Sequence, residues 1–173
     1  MNTTQMPDNP FTRILRRYAD LPEARRRRMV SWSVGRAIPM VGAAGIDIRR
    51  LAPTRVEAVL GEAPPVQNHI GGMHAAALAL LAETVTGLVV ALNVPSDGVP
   101  LLRALDVSYE RRAAPPVEAV AVLTEDEAAR IRTAPVGKID VPVTLRGATG
   151  EAPVTCHLQW AWLPKRRVPG VPV

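Results

Sequence analysis

The chain has 173 residues, enough for one domain with its own core, and its 47% hydrophobic and 21% charged residues are typical of a globular protein. Aromatic residues make up only 3%, so a nucleic-acid surface built on stacking side chains is not expected despite the net charge of +5. A single cysteine excludes an intramolecular disulfide framework and fits a reducing compartment. No secretory pattern opens the sequence, so we predict a cytoplasmic protein.

The first 37 residues predict a basic helical segment. Apolar residues recur at helical spacing from Pro10 to about Val30, beside several arginines. Pro22 interrupts the pattern and predicts two short helices or one kinked helix. The run Arg25–Arg28 is expected to be a solvated helix face, with an anionic ligand or a membrane surface as the alternative.

The next segment, 42–61, changes to an alternating pattern. Apolar and charged residues take turns on both sides of Ala52-Pro53. A period of two on both sides of a proline turn predicts a hairpin or a bent pair of strands.

A long apolar segment, from about 73 to 93, dominates the middle of the chain. It is apolar nearly all the way round a helix, which is typical of a helix buried on every side. Between Ala75 and Val94, Glu83 is the one ionisable group. A membrane span is the rival interpretation, but a central carboxylate costs a span roughly 3 kcal/mol, so no span is predicted.

Four strand-like segments follow, at 101–109, 117–123, 139–145 and 154–163. A capping box at 124–127 predicts a short helical turn, and Pro142 predicts an edge or a bulge in the third of these strands. The element order predicts an α+β fold, with an antiparallel sheet of five to six strands wrapped around the long helix. The predicted division is a helical segment 1–37, a domain 38–163, and a basic, proline-rich tail 164–173.

The candidate functional residues lie at the start of the long helix and at Glu83 within it. Asn68 and His74 flank two glycines, and the free backbone N–H groups of a helix start, including that of Ala75, can polarise a carbonyl. Glu83, a carboxylate in an apolar site, can act as a general base or a nucleophile on an acyl group. Glu83 lies nine residues after His74, which is half a turn out of phase and about 13 Å along the axis. The helix start and Glu83 can therefore serve one substrate only if two chains pair these helices antiparallel. This predicts a twofold homodimer.

The pattern N-x-x-G-x-x-H, with an acid nine residues later, resembles the hotdog-fold thioesterases of the phenylacetate-pathway type. The matching positions are Asn68, Gly71, His74 and Glu83. The segment N-H-I-G-G-M-H-A-A-A-L-A-L-L-A-E-T-V-T-G is closer still to an uncharacterised hotdog group, domain of unknown function 4442. The likeness covers about residues 38–163 and implies a hotdog fold.

The resemblance also implies roles for single residues. Glu83 would be the catalytic carboxylate, and Asn68 and His74 would orient the substrate or a water molecule. The Ala75 N–H would be the oxyanion donor, with Gly72 beside it in the oxyanion and substrate site. Arg111, in Val107-Ser-Tyr-Glu-Arg111, would lie near the channel for coenzyme A.

Three departures from the resembled pattern bear on activity rather than on fold. Ala75 stands where many members have glycine, and Glu83 where many have aspartate. Leu101 and Leu102 occupy the region where some relatives carry a serine or threonine.

The leading hypothesis is therefore an acyl-CoA thioesterase that works as a homodimer or a dimer of dimers. It needs no cofactor beyond the coenzyme A of its substrate. A non-catalytic acyl- or CoA-binding dimer is the alternative, followed by a dehydratase or hydratase that would use His69 with Glu83. Structural roles also stay open, with Asn68 as a helix cap and Glu83 as an acid paired across a dimer. The three histidines have no convincing ligand spacing, so no metal site is predicted.

Overall fold

The computed structural model describes residues 6–170, where five α-helices and seven strands form the framework. The helices are α1 (Pro10–Arg17), α2 (Glu23–Ala37), α3 (Pro39–Ala44), α4 (Ala75–Ala91) and α5 (Glu125–Thr133). The strands are β1 (Asp47–Ala52), β2 (Arg55–Leu60), β3 (Gly98–Tyr109), β4 (Val117–Val122), β5 (Gly137–Asp140), β6 (Val143–Arg146) and β7 (Val154–Pro164). Residues 1–5 of the predicted helical segment and residues 171–173 of the predicted tail lie outside the described residues.

Helix α1 is fixed across the C-terminal end of α4 by one side chain. The Asn9 Oδ1 atom caps α1 by accepting from the N–H groups of Phe11 and Thr12, both at 3.0 Å. Its Nδ2 group donates to the carbonyls of Ala91 and Val94 at 2.9 and 2.8 Å. Because Asn9 is buried, these bonds hold α1 firmly against the end of the long helix.

Pro22 separates α1 from α2, which confirms the prediction of two short helices. Helix α3, which the sequence pattern did not predict, follows after Ile38 and lies directly on α2. A Cβ atom on Gly35 would be 2.9 Å from the Cα of Gly42, so only glycines allow the two backbones to approach this closely. This contact brings α3 over the outer side of α4.

The strands form two antiparallel sheets rather than one. One sheet has the order β1-β2-β4-β6 and the other has the order β3-β7-β5. The predicted hairpin is confirmed as β1 and β2, and the predicted capping box begins α5, with Thr124 and Glu127 bonding reciprocally. The predicted count of five to six strands in one sheet is corrected to seven in two.

The predicted strand 139–145 is wrong as a single strand, because the chain changes sheets at Pro142. The Val141 N–H donates to the Leu158 carbonyl of β7 in the three-stranded sheet. The Pro142 carbonyl accepts from the Val122 N–H, beside the four-stranded sheet. Proline has no N–H to donate, which suits the corner between the sheets. The alternating burial continues through the corner, so the alternation alone gave no sign of it, although Pro142 had predicted an edge or a bulge at this point.

Helix α4 is enclosed by both sheets, which confirms the predicted long buried helix within the α+β class. It contacts β2, β4 and β6 of the four-stranded sheet and β3 and β7 of the three-stranded sheet. Its buried side chains, such as Leu81, Val85 and Val89, form the middle of an aliphatic core. Trp160 of β7 donates from Nε1 to the Thr86 hydroxyl at 3.0 Å, which ties the helix to the sheet.

Strand β3 has 12 residues and is an edge of its sheet, since within residues 6–170 only β7 pairs with it. Within residues 6–170, no helix has the length and apolarity that a membrane crossing requires.

Candidate active site

The turn before α4 is held by the side chain of Asn68. Its Oδ1 accepts from the N–H groups of Ile70 and Gly72 at 3.1 and 2.9 Å, and its Nδ2 donates to the Met73 carbonyl at 3.2 Å. Gly71 has φ +71°, which a side chain would strain. The Asn68 amide and the Gly72 N–H, both predicted site groups, are therefore engaged in folding the turn.

His74 is the N-cap of α4. Its backbone is extended, with ψ at 133°, and its Nδ1 accepts from the Ala76 N–H at 3.1 Å. Because Nδ1 is the acceptor, the neutral ring carries its proton on Nε2 and can donate from there. His74 thus fixes the beginning of the helix and keeps one exposed nitrogen.

The Ala75 N–H, the predicted oxyanion donor, has no acceptor within the part of the chain that the structure describes. Ala75 is exposed at the first position of α4, where the helix dipole is positive. Its carbonyl accepts from the Tyr109 hydroxyl at 2.9 Å, so β3 anchors this first turn. Partial burial, and then the nearby Cys156, raise the pKa of Tyr109 above its ordinary value, so the phenol keeps the proton that it donates. The sequence pattern predicts Tyr109 on a strand but gives no sign of this contact with α4.

Glu83 lies two turns farther along α4, in a groove of about 190 Å³. The groove is formed by α1 and α3 on one side and by α4 and Trp160 on the other. Within residues 6–170, the Glu83 carboxylate has neither an ion-pair nor a hydrogen-bond partner. Apart from Glu83, the residues that line this groove are nearly all apolar: Phe11, Ile38, Val41, Leu80, Thr84, Gly87, Leu88, Ala91, Pro100 and Trp160. The lining residues from α1 and α3 were missed, because a helical apolar pattern does not show what the helix packs against.

A second groove, of about 300 Å³, begins at His74 and meets the first at Leu80, which lines both. Ala76, Leu80, Glu83 and Gly87 consequently form one stripe on the side of α4 that faces α1 and α3. From Ala75, the predicted donor, to Glu83 is eight residues, about 80° past two full turns and about 12 Å along the axis. Counted from Ala75 rather than from His74, the angular offset is therefore about a quarter of a turn instead of half a turn, and the axial separation remains.

Arg112, the neighbour of the predicted Arg111, lies against the turn. A Cβ atom on Gly72 would lie 3.4 Å from Nε and Nη2 of Arg112. Arg111 is exposed, and its side chain contacts no carboxylate within residues 6–170. His69, the residue on which the hydratase alternative depends, is also exposed. No cluster of potential metal ligands occurs among the described residues.

One family model matches the sequence over residues 26–163, that of the Domain of unknown function (DUF4442). The match begins within α2, earlier than the likeness that starts near residue 38. Among proteins of curated function, none matches the sequence.

Solved structures of similar fold come from several bacteria. A Pseudomonas aeruginosa protein of unknown function, described as a probable thioesterase, is 21% identical; the match covers 83% of this chain and 97% of that one, with a TM-score of 0.70. A thioesterase from Haemophilus influenzae is 15% identical over 78% of this chain and 90% of its own, with a TM-score of 0.60. A thioesterase from Staphylococcus aureus, solved as a mutant, is 16% identical over 73% and 99%, with a TM-score of 0.61. At these identities the likeness establishes the fold, and the predicted hotdog fold is confirmed.

Proposed function

The chain belongs to the DUF4442 family, and from that membership and its hotdog fold we propose that it hydrolyses acyl-CoA thioesters at a site completed by two copies of the chain. The observation that carries the proposal is a pair of unused groups on the open side of α4. The Ala75 N–H lacks an acceptor, and the Glu83 carboxylate lacks a partner, within residues 6–170. A free donor at a helix start and a free carboxylate in an apolar groove are the two parts that acyl transfer to water requires. Structural neighbours described as thioesterases support this reaction class.

The separation along α4 supports a shared site. One carbonyl cannot contact both the Ala75 N–H and Glu83 of the same chain, because about 12 Å of helix lies between them. Two antiparallel α4 helices in a twofold dimer would bring Glu83 of the partner subunit toward Ala75. The long unpaired edge of β3 offers a second surface for pairing between copies. A homodimer, alone or within a dimer of dimers, would meet this requirement.

The proposed reaction transfers an acyl group from sulfur to water. The Ala75 N–H donates to the thioester carbonyl oxygen and stabilises the negative charge that develops there. Glu83 of the partner subunit takes a proton from water as the water oxygen attacks the carbonyl carbon. Collapse of the tetrahedral intermediate breaks the C–S bond, and the departing thiolate takes the proton from Glu83. The products are a carboxylic acid and free coenzyme A, and no cofactor takes part.

The remaining predicted residues would act around this pair. We propose Asn68 and Gly72 as positioning residues, since their hydrogen bonds shape the turn that presents Ala75. His74 would donate from Nε2 to the substrate or the attacking water. Arg111 and its neighbour Arg112 would meet the phosphates of coenzyme A near this end of the helix, since guanidinium groups bind phosphate well.

The apolar groove at Glu83 would hold the acyl chain. Leu80, Leu88 and Trp160 offer a surface that excludes water from the thioester. Its volume of about 190 Å³ is below the range typical of drug-sized ligands, so a short acyl chain fits better than a long one unless a second chain extends the groove.

A non-catalytic acyl- or CoA-binding dimer is the second candidate. It is favoured by one observation: Asn68 and His74, two of the three residues predicted to be catalytic, bond to backbone groups of their own turn. Such a protein would bind acyl-CoA without releasing thiol.

The test measures thiol release from a panel of acyl-CoAs by the wild type and by Glu83→Gln. Removing a general base is expected to lower kcat by roughly 10²- to 10⁴-fold. Glu118→Gln is the matched control, because Glu118 is an exposed acid on β4, and it should retain full activity. Equal turnover by Glu83→Gln and the wild type would contradict the proposed mechanism, whereas tight acyl-CoA binding without turnover in the wild type would favour the second candidate.

A further inference from the structure

A cavity of about 570 Å³ lies between α2, α3 and the beginning of β1. It is separated from the Glu83 groove by α3. Gly42 and Gly45, at the end of that helix, line this cavity, whereas Ile38 and Val41 line the groove. The proposed thioesterase reaction makes no use of this cavity.

The cavity is strongly basic. Arg27, Arg28 and Arg36 of α2 line it, and its one acid, Asp47, is already neutralised. An Asp47 carboxylate oxygen is 3.0 Å from Nε of Arg49 and 3.3 Å from Nη2 of Arg27. Arg28 and Arg36 have no carboxylate partner within residues 6–170. The wall therefore carries an excess of positive charge without a counter-charge.

Arg27 is held in the wall of the cavity by its ion pair with Asp47. Its Nε atom is buried and has no hydrogen-bond partner in the described part of the chain. Ser31, beside it, donates its hydroxyl to Asp47 at 2.9 Å and so holds the acid in place.

One wall of the cavity is aromatic. The side chain of Trp32 is 56% exposed, which is unusual for an indole. The guanidinium of Arg36 lies 5.3 Å from the ring centroid, so a cation–π contact holds the ring in place. A fixed indole beside guanidinium groups is a surface on which a planar ring can stack while its phosphates are bound.

We propose that this cavity binds a phosphorylated small molecule with a planar ring, of nucleotide size. The volume lies within the usual range for such ligands, and Gly35, Gly42 and Gly45 leave part of the lining without side chains. An anionic membrane surface would satisfy the exposed arginines, but it is flat and would not fill the recess that Gly35, Gly42 and Gly45 line. The concave shape therefore favours a discrete ligand.

The test measures binding of adenosine triphosphate and of inorganic phosphate to the full chain by titration calorimetry at low salt. Wild type is expected to bind the nucleotide, and Arg28→Ala and Arg36→Ala should each weaken it at least about tenfold, as expected for a lost charged hydrogen bond. Trp32→Ala should weaken nucleotide binding but leave phosphate binding unchanged. Arg36→Lys keeps the charge and should restore most of the phosphate binding lost in Arg36→Ala.

Arg25→Ala is the matched control, since Arg25 is an exposed arginine of the same helix that does not line the cavity. It should change nucleotide affinity by less than about twofold. The proposal is overturned if wild type binds no nucleotide at millimolar concentration, or if Arg25→Ala weakens binding as much as Arg28→Ala. Binding to phosphatidylglycerol vesicles without nucleotide binding would instead assign this surface to membranes. Thioester hydrolysis does not enter this test, so it stands apart from the proposed function.

Discussion

The Ala75 N–H and the Glu83 carboxylate differ from the polar groups of Asn68, Gly72 and His74 in having no hydrogen-bond partner within residues 6–170. Asn68, Gly72 and His74 all bond within their own turn, so their geometry is explained by folding alone. A carboxylate that faces an apolar groove without a partner has no such explanation. At this scale the candidate chemistry rests on two groups, and the surrounding residues hold them in place.

Ala75→Pro tests the oxyanion donor without breaking the helix. Proline removes the N–H, but it is well tolerated at the first helical position, and the extended backbone of His74 suits the residue before a proline. We expect kcat to fall by roughly 10²- to 10³-fold while stability to urea changes by less than about 1 kcal/mol. Unchanged turnover by a folded Ala75→Pro protein would rule out this N–H as the donor.

The single thiol offers a second check at the residue scale. Burial raises the pKa of the Cys156 thiol above its ordinary value, so at pH 8 even less of it is thiolate than in free cysteine. Cys156 should therefore react with an aromatic disulfide reagent at least about tenfold more slowly in the folded protein than in guanidinium chloride. Equal rates in the two states would show that the thiol is accessible and unperturbed.

The raised pKa of Cys156 also determines how this thiol affects stability as the pH changes. The folded thiol keeps its proton to higher pH than the unfolded thiol, so its contribution to stability is present below the ordinary thiol pKa and lost as the pH rises through the folded value.

At the scale of elements, α4 is held by one-sided packing. Both sheets bury one side of the helix, and α1 and α3 only partly cover the other, which leaves the stripe from Ala76 to Gly87 lining grooves. Gly87 has a packing role here, because a Cβ atom would lie 2.7 Å from the Trp160 ring. The ring cannot easily move away, since its Nε1 is bonded to Thr86.

Gly87→Ala is accordingly expected to destabilise the protein. Alanine gains about 1 kcal/mol of helix propensity, but overpacking against Trp160 costs about 1–3 kcal/mol, so we expect a net loss of up to about 2 kcal/mol in urea unfolding. Gly61→Ala is the matched control, because a Cβ there meets nothing within 4 Å and should be neutral or slightly stabilising. A Gly87→Ala protein as stable as Gly61→Ala would show that Trp160 can move.

Elements with local signals were predictable from the sequence, and elements defined by distant contacts were not. Three local signals each act within a few residues: Pro22, the Thr124 capping box and the alternating hairpin pattern. The helix break, the start of α5 and the β1–β2 hairpin were therefore predicted correctly. The change of sheet at Pro142 depends on Leu158 and Val122, which lie far away in sequence, and an alternating pattern reads the same on either sheet. Helix α3 was missed for a related reason, since its six residues rest on contacts with α2 rather than on a periodic pattern.

The candidate site, like the fold, was predictable only in part. The motif from Asn68 to Glu83 indicated which residues to examine, and the structure showed which of their groups are already used. The predicted half-turn offset was counted from His74; counted from Ala75, where the helix begins, the offset is about a quarter of a turn.

At the scale of the whole molecule, the two candidate binding regions lie on opposite sides of α3. The apolar groove at Glu83 and the basic cavity at Trp32 share this helix as a wall. The proposed role of the α2 arginines is therefore separate from the proposed thioesterase chemistry.

The central claim, that two chains complete one site, is tested most directly by mixing two inactive variants. Dimers of Glu83→Gln alone lack the carboxylate, and dimers of Ala75→Pro alone lack the donor. A mixed dimer of the two contains one site with both groups intact, so refolding equal amounts together should restore about a quarter of wild-type activity, since half of the dimers are mixed and each has one of two sites. Mixed protein that forms heterodimers but stays as inactive as its parents would contradict the account.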